Sequence, residues 1–555
     1  MIKQNKLKVC TLSGTSEIGR NCSFIEYNDQ ILIVDMGFSF PDQTLYGIDY
    51  LIPNYSYLKQ NKKKIKAILI THGHLDHIGG LPYTLPELGY PKIYAGNYAA
   101  ALVREKLKEH RMDKKVKIIG TRRKQEVQMG QFHVKFIGVT HSIPHAFSIF
   151  VNSPEGGVFF SGDYKIDRTP VGEEESDYQL LKDLRGKVDL ALVESTYPST
   201  EGQSTSESVV AQNLETAIKN WKGRIVVSAF SSQVARLYSL IEIAKKTKRK
   251  IAFSGYSLRK AIKIAQELGY IKPPKNIIIN EREIHKYPDH EILFVCTGSQ
   301  GEKRAALNRI SLGTHKYFKI KKGDLIMLSS SEIPGNIIEI EKMTDRLIEK
   351  GAELVNSAMA DIHASGHGTN DDQKIMLKLI QPKNILPIHG NLTKRYQMMQ
   401  NYVRWGVKKR NILLTSDGQF WEKSGSEWKR GSQIPSRPIL IDGLGVGDIG
   451  DYVIKDRAQL AEYGVVFVEL NLSAKTGKIV GKPRFISRGF VYEKRSKELF
   501  DALEKIVKDK HNHWLKKNRS GKRDTKALRK TLEDAMSKYI YKKTERDPVI
   551  LISVF

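Results

Sequence analysis

Cysteine is nearly absent: the 555 residues carry three, Cys10, Cys22 and Cys296, and no two stand at C-x-x-C spacing. That argues against a disulfide framework and against thiolate metal sites, and it suits a reducing compartment. Acidic residues are also scarce, 61 Asp plus Glu against 90 Lys plus Arg, for a formal charge of +29. A surplus of that size points to a polyanionic partner, above all nucleic acid. No uninterrupted apolar stretch approaches the ~20 residues that span a bilayer, and residues 1–6 lead into an alternating strand rather than an apolar signal core. No membrane segment and a cytoplasmic location are the expectation. Repeats and low-complexity tracts are missing too, while the length exceeds one ordinary core, so two or three domains are expected.

What is present centres on Thr71-His72-Gly73-His74-Leu75-Asp76-His77-Ile78-Gly79-Gly80, directly after the apolar run Ala67-Ile68-Leu69-Ile70. The run is short and β-branched, so it reads as a buried strand that His72 leaves at its C-terminal end. His72 and His74, two apart in extended backbone, point to one side; Asp76 and His77 come at the start of the next element and can face a second ion. Neutral imidazoles with a carboxylate suit zinc or manganese better than calcium or magnesium. A polar loop with satisfied histidines is the bland alternative, and it would be the better one for a lone His.

The same grammar, an apolar strand with a polar residue at its end, recurs along the chain. Residues 31–34 deliver Asp35, 132–139 deliver His141, 158–160 deliver Asp163, 190–193 deliver Glu194, and 385–388 deliver His389. Ligands converging from separate strands, with a carboxylate to bridge, are what two cations about 3.5–4 Å apart require. His133, on the face opposite Val134 and Phe136, and His145, after Pro144, are left out of the ligand set.

From 206 to 373 the pattern changes to buried strands at 224–228, 251–254, 292–297 and 325–329 alternating with amphipathic helices at 232–246 and 258–268. That reads as a separate α/β domain with a largely parallel sheet. Its strand ends carry Ser228, Ser254-Gly255, Thr297-Gly298-Ser299-Gln300-Gly301 and Ser329-Ser330-Ser331, groups small enough to approach phosphate closely. Because a ligand-bearing strand returns at His389, this domain is inserted in the first. The expected organisation is therefore a core in two parts, 1–205 and 374–430, the insertion at 206–373, a Gly- and Pro-rich linker at 431–450, and a basic α+β domain at 451–555 with helices near 494–517 and 525–542.

His72-x-His74-x-Asp76-His77, His141, Asp163 and His389 resemble the ligand set of the metallo-β-lactamase fold. Glu194-Ser195-Thr196-Tyr197, His363-x-Ser365-x-His367 and Pro387-Ile388-His389-Gly390 resemble its β-CASP branch. Gly47-Ile48-Asp49, His141-Ser142-Ile143-Pro144, Thr297 through Glu302, Ile333-Pro334-Gly335-Asn336, the stretch Asp442-Gly443-Leu444-Gly445-Val446-Gly447-Asp448 and Ile486 through Val491 are similar, within that branch, to the bacterial ribonuclease J family over nearly the whole chain.

The resemblance implies an α/β metallo-β-lactamase αββα sandwich with an inserted β-CASP domain and a small α+β C-terminal domain. It implies two Zn2+, with Mn2+ or Mg2+ able to substitute: His72, His74 and His141 on one, Asp76, His77 and His389 on the other, and Asp163 between them. It implies a structural Ca2+ near Gly47, Asp49 and Asp442. The activity implied is hydrolysis of RNA, 5′→3′ from a monophosphorylated end and internally, in rRNA maturation and mRNA processing or decay. The assembly implied is a homodimer or a heteromer with a paralogue, and membership of an RNA degradosome. Leu75, Ala235, Lys303-Arg304 and Ile337 stand where the family usually has an acid, His, Pro-Met and Glu; none is a metal ligand.

Chemistry assigns further roles. Asp35, at the floor, orients a ligand or the attacking water; His367 protonates the leaving oxygen, with Glu194 holding its ring. His363 and Ser365, with backbone N–H groups of Ala364, Gly366 and His367, cradle a phosphate, and Ser331 is placed among the phosphate-contacting residues. Rival readings are a small-molecule metallohydrolase of the same fold, a catalytically weak RNA-binding subunit, and a DNA-directed nuclease.

Overall fold

The computed structural model describes residues 6–333, 335–491, 496–518 and 525–555; Pro334 and residues 494–495, where the first basic helix is expected to start, lie outside them. Two compact units are formed, residues 1–39 with 52–438, and residues 40–51 with 439–555.

In the first unit two sheets face each other. One has eight strands in the order Glu427–Gln433, Gln419–Ser424, Leu7–Ser13, Cys22–Tyr27, Gln30–Val34, Ile65–Ile70, Ile93–Gly96, Ile118–Thr121. The other has six, Asn384–Ile388, Val188–Glu194, Gly156–Phe160, Ala146–Ser153, Phe132–Val139, Glu126–Met129. Alternation sends Leu32 and Val34 from one sheet, and Phe136, Phe160, Leu192 and Leu386 from the other, into one shared core. The opposite residues of the second sheet, among them Ile137, Phe159, Ala191 and Ile385, pack against Met376, Ile380, Met398 and Tyr402 of the helices Asn370–Ile380 and Leu392–Arg404. This is the expected helix–sheet–sheet–helix layering.

The chain leaves this sandwich after Val188–Glu194 and returns with Asn384–Ile388, which pairs parallel to it, Glu194 opposite Ile388. Between them lies a third, six-stranded sheet in which every registered neighbour is parallel. Val226, Phe294 and Ile326 face one side and Val227, Val295 and Met327 the other, both covered by helices, which is why these strands read as unbroken apolar runs.

One boundary differs from the sequence expectation. Residues 431–433, expected in a linker, complete the strand Glu427–Gln433, because Trp428 is drawn into the sandwich core and the Gln419 side-chain amide donates to Gly431 O and Ser432 O. In the second unit the sheet Arg484–Arg488, Val465–Leu470, Val549–Val554 is covered by Lys497–Lys517 and Thr525–Thr544. Leu528, Leu532, Met536 and Ile540, each four apart, make the buried stripe of the second helix and leave its lysines outside. Among the described residues no helix is long and apolar enough to cross a membrane.

Candidate metal centre

The strand Ile65–Ile70 gives way at Thr71, and His72-Gly73-His74 leads to a short helix, Leu75–Ile78, that turns Asp76 and His77 inward. Two glycines around it leave little room for a side chain. A Cβ on Gly73 would lie 2.7 Å from Leu102 Cδ1, and one on Gly80 2.6 Å from Gly37 O. Asp35 and His389 sit at the ends of their strands with φ of +62° and +55°, a left-handed conformation uncommon for residues other than glycine and found often at functional sites.

These strand ends bring together two four-residue groups, His72 with His74, His141 and Asp163, and Asp76 with His77, Asp163 and His389; the ligand atoms within each group lie within 4.8 Å of one another. A third group joins Asp163 to Glu194, His367 and His389. Asp163 belongs to all three. Its Oδ2 lies 3.5 Å from His72 Nε2, 3.1 Å from His77 Nε2 and 3.8 Å from His389 Nε2. His74 Nδ1 stands 3.0 Å from both His72 Nε2 and His141 Nε2.

The outer nitrogen of four of these rings is occupied. His77 Nδ1 meets Asp35 Oδ2 at 2.8 Å, His141 Nδ1 meets Gly366 O at 2.5 Å, His389 Nδ1 meets Thr196 Oγ1 at 3.0 Å, and His72 Nδ1 meets Thr71 Oγ1 at 3.1 Å. Such outer partners set which nitrogen carries the proton and leave the inner lone pair free. Asp35 is itself held by the Thr71 N–H and hydroxyl, both at 2.8 Å.

Electrostatics agree with a cation site. Burial keeps His72 and His141 well below the usual imidazole range and brings His74 to about 4, so three neutral imidazoles converge. Burial opposes charge on His77 as well, but Asp163, Asp76 and Asp35 outweigh it and lift that ring well above its usual value. Burial likewise resists ionisation of Asp163, yet His389, His77, His367 and His72 hold it well below the carboxylate range. Nitrogen lone pairs 3.0 Å apart, beside carboxylates and out of water, fit a pair of borderline divalent ions.

His367 Nδ1 lies 2.8 Å from Glu194 Oε2. Burial disfavours its charged form, but Glu194 and Asp163 raise the ring to about 9. His363 differs: burial and then Arg236 lower it to about 3, so it offers a neutral N–H, not a charge. Ser365 Oγ accepts the His367 N–H at 3.1 Å, while Ala364 is buried. The Ser331 carbonyl accepts from the Gln300 side-chain amide at 2.8 Å, and among the described residues no hydrogen bond joins the Ser331 hydroxyl to the 363–367 loop. His133 faces Glu126 and His145 touches the Tyr270 hydroxyl, both outside the cluster.

The residues set aside for calcium do not fit one. Arg457 pairs with Asp442 at 2.6 Å and donates to Tyr46 O at 3.1 Å, while Asp49 Oδ2 accepts the Gly443 N–H at 2.8 Å. The guanidinium already supplies the positive charge there.

Sequence reasoning missed Asn21, whose Nδ2 is 3.0 Å from His77 Nε2, and the hydroxyls of Thr71 and Thr196. Thr196 Oγ1 donates to Glu194 at 2.6 Å while touching His389, a link that its place beside Glu194 hinted at. Nothing local marks Asn21.

Ligands at the C-terminal rims of two facing sheets, with an inserted parallel-sheet domain, define a metallo-β-lactamase-fold protein of the β-CASP type. Three family models match accordingly: Metallo-beta-lactamase superfamily over 16–185, Ribonuclease J, beta-CASP domain over 222–347, and Ribonuclease J C-terminal domain over 452–555. The chain belongs to the ribonuclease J family. It is 38% identical to Ribonuclease J 1 of Streptococcus pyogenes serotype M3, covering 99% of this chain and 98% of that one. Ribonuclease J2 of Bacillus subtilis is 32% identical over 99% of each chain. A crystal structure of a protein of unknown function from Enterococcus faecalis V583 shares the fold at 15% identity and a TM-score of 0.55, covering 75% of this chain and 100% of that one.

Proposed function

We propose that this chain is a metal-dependent ribonuclease that uses two zinc ions, which manganese or magnesium can replace, to hydrolyse RNA from a 5′-monophosphorylated end and also internally. The observation that carries this reading is the sharing of Asp163 by two ligand groups beside the His367–Glu194 pair. His72, His74 and His141 would hold one ion, Asp76, His77 and His389 the other, and Asp163 would serve both. The chemistry such ions supply is acidification of the attacking water and stabilisation of charge on the phosphoryl oxygens.

The chain's own residues do the rest. Asp35 accepts a hydrogen bond from His77 Nδ1–H and the Gly366 carbonyl accepts one from His141 Nδ1–H, which aims the Nε2 lone pairs inward. Glu194 holds His367 at Nδ1 and stabilises its protonated form, leaving Nε2 to pass a proton to the 3′-oxygen as the phosphorus–oxygen bond breaks. His363, Ser365 and the neighbouring N–H groups would receive the terminal phosphate. Ribonuclease names among the relatives and the +29 charge support RNA as the polyanion.

The test is incubation with 5′-monophosphorylated RNA, and with DNA of the same sequence, before and after chelation, with the products resolved. Metal-dependent release of mononucleotides from RNA is expected. Cleavage that survives complete metal removal would overturn the reading, and equal cleavage of DNA would overturn the choice of substrate.

A further inference from the structure

Among the described residues the largest fully buried side chain is a charged one, Arg236, on the helix Val234–Lys246. Its Nε and Nη2 meet the Glu207 carboxylate at 3.1–3.2 Å. Its Nη1 donates to Ser329 Oγ and, at 2.9 Å, to Ile362 O. Ser329 Oγ donates to the same Ile362 carbonyl at 2.6 Å. One backbone carbonyl, immediately before His363, therefore receives two hydrogen bonds from a buried assembly built on two helices and a strand end. Gln233, on the turn before the same helix, reaches Ala364 O at 3.5 Å.

The other half of this loop is held from elsewhere. Gly366 O is tied to His141, His367 to Glu194, and the Gly368 N–H donates to Tyr164 O at 2.6 Å. The loop thus has two separate anchorages, one under residues 362–364 and one under residues 366–368. A buried ion pair is weak evidence for stability, since apolar residues of similar volume often replace one without loss. What an apolar pair cannot do is donate a hydrogen bond to a particular carbonyl.

We infer that Arg236 and Glu207 are positioning residues that hold the 362–364 segment of the loop in register for reading the RNA 5′ end, separately from the segment that carries His367. This rests on the ribonuclease reading above, in which His363 and Ser365 receive the terminal phosphate.

The experiment replaces both partners, Arg236→Met with Glu207→Leu, so that neither charge is stranded. The melting temperature should stay within a few degrees of the unmodified protein. The kcat/KM ratio for 5′-monophosphorylated over 5′-hydroxyl RNA should fall at least tenfold towards one, and cleavage of a circular RNA, which has no end, should stay within threefold. Amide hydrogen exchange should accelerate in peptides covering residues 361–365 and not in those covering 366–372. A stable double variant that keeps the full end preference and the exchange pattern overturns the inference, as does a parallel fall on all RNAs with faster exchange along the whole loop. If the unmodified protein shows no end preference, the phosphate-pocket reading fails instead, and the exchange pattern still decides whether this pair anchors the segment. If the double variant does not fold, Arg236→Lys, which keeps the charge but loses the fork, should show the same split between end preference and circular RNA, and its absence overturns the inference.

Discussion

Replacing Gly37 by Ala should disable the metal centre from outside it. A Cβ there would stand 1.6 Å from Asp76 O, 2.1 Å from Asp76 C and 2.8 Å from His77 N. All three are backbone atoms, so no side chain can swing aside. The contact lies inside a lattice of backbone hydrogen bonds: Met36 N to His77 O at 2.8 Å, Phe38 N to Leu75 O at 3.2 Å and Gly80 N to Met36 O at 2.9 Å. To open the nearest distance to the 3.0 Å that real Cβ atoms tolerate, the Asp76 peptide must move by about 1.4 Å. Displacements near 1 Å at reacting groups cost roughly 100-fold in rate. We expect kcat/KM to fall by at least about 100-fold and metal content by about half, because Asp76 and His77 belong to one ligand group only. Metal analysis of the purified variant beside steady-state assays would check this. Gly450→Ala, whose added Cβ meets nothing within 4 Å, serves as the control and should change neither. Full metal content with near-normal turnover in Gly37→Ala would refute the argument.

Asp163→Ala should abolish hydrolysis while leaving RNA binding largely intact, measured by filter retention and by its salt dependence, since the loss costs several kcal/mol of transition-state stabilisation but removes no basic contact; near-normal cleavage would sink the two-ion assignment. Exonuclease rates should run monophosphate, then hydroxyl, then triphosphate; His367→Ala should slow every substrate, while Ser365→Ala should flatten the order and add a modest slowing, because its hydroxyl also accepts the His367 N–H. Equal rates on all three RNAs in the unmodified protein would remove the pocket. Glu173 is pushed up to about 8 by burial that Lys165 and Arg123 only partly offset, against an ordinary 4.5. A raised carboxyl favours the fold below its unfolded value and loses that contribution as pH rises through the folded one. Glu173→Gln should therefore flatten the change in melting temperature between about pH 4.5 and 8, and an unaltered profile would contradict it.

Much of the fold is legible because buried strands declare themselves. Ile31 to Val34, Ile68 to Ile70 and Val226 to Val227 are apolar on both faces, and both faces are covered by packing. The 431–433 stretch misled because Gly431 and Ser432 carry turn chemistry, and the pairing that overrides it lies with Gln419, twelve residues earlier. Calcium was suggested by Gly47, Asp49 and Asp442, but the competing cation, Arg457, lies 410 residues beyond Gly47 and signals nothing locally.

Residue type at a strand end, together with strand order along the chain, was sufficient for the sequence alone to determine the candidate donors, because an imidazole or carboxylate after a buried run has few places to go but the rim. Which atom of each ring faces inward, and which hydroxyl, carbonyl or carboxylate holds the other side, was decided only by tertiary structure. Those partners, Asp35 for His77, Gly366 for His141, Thr196 for His389 and Arg236 for the 362–364 segment, come from distant parts of the chain. The physical reason is that a proton's position on an imidazole is set by a hydrogen bond made in three dimensions, and spacing along the chain carries no record of it.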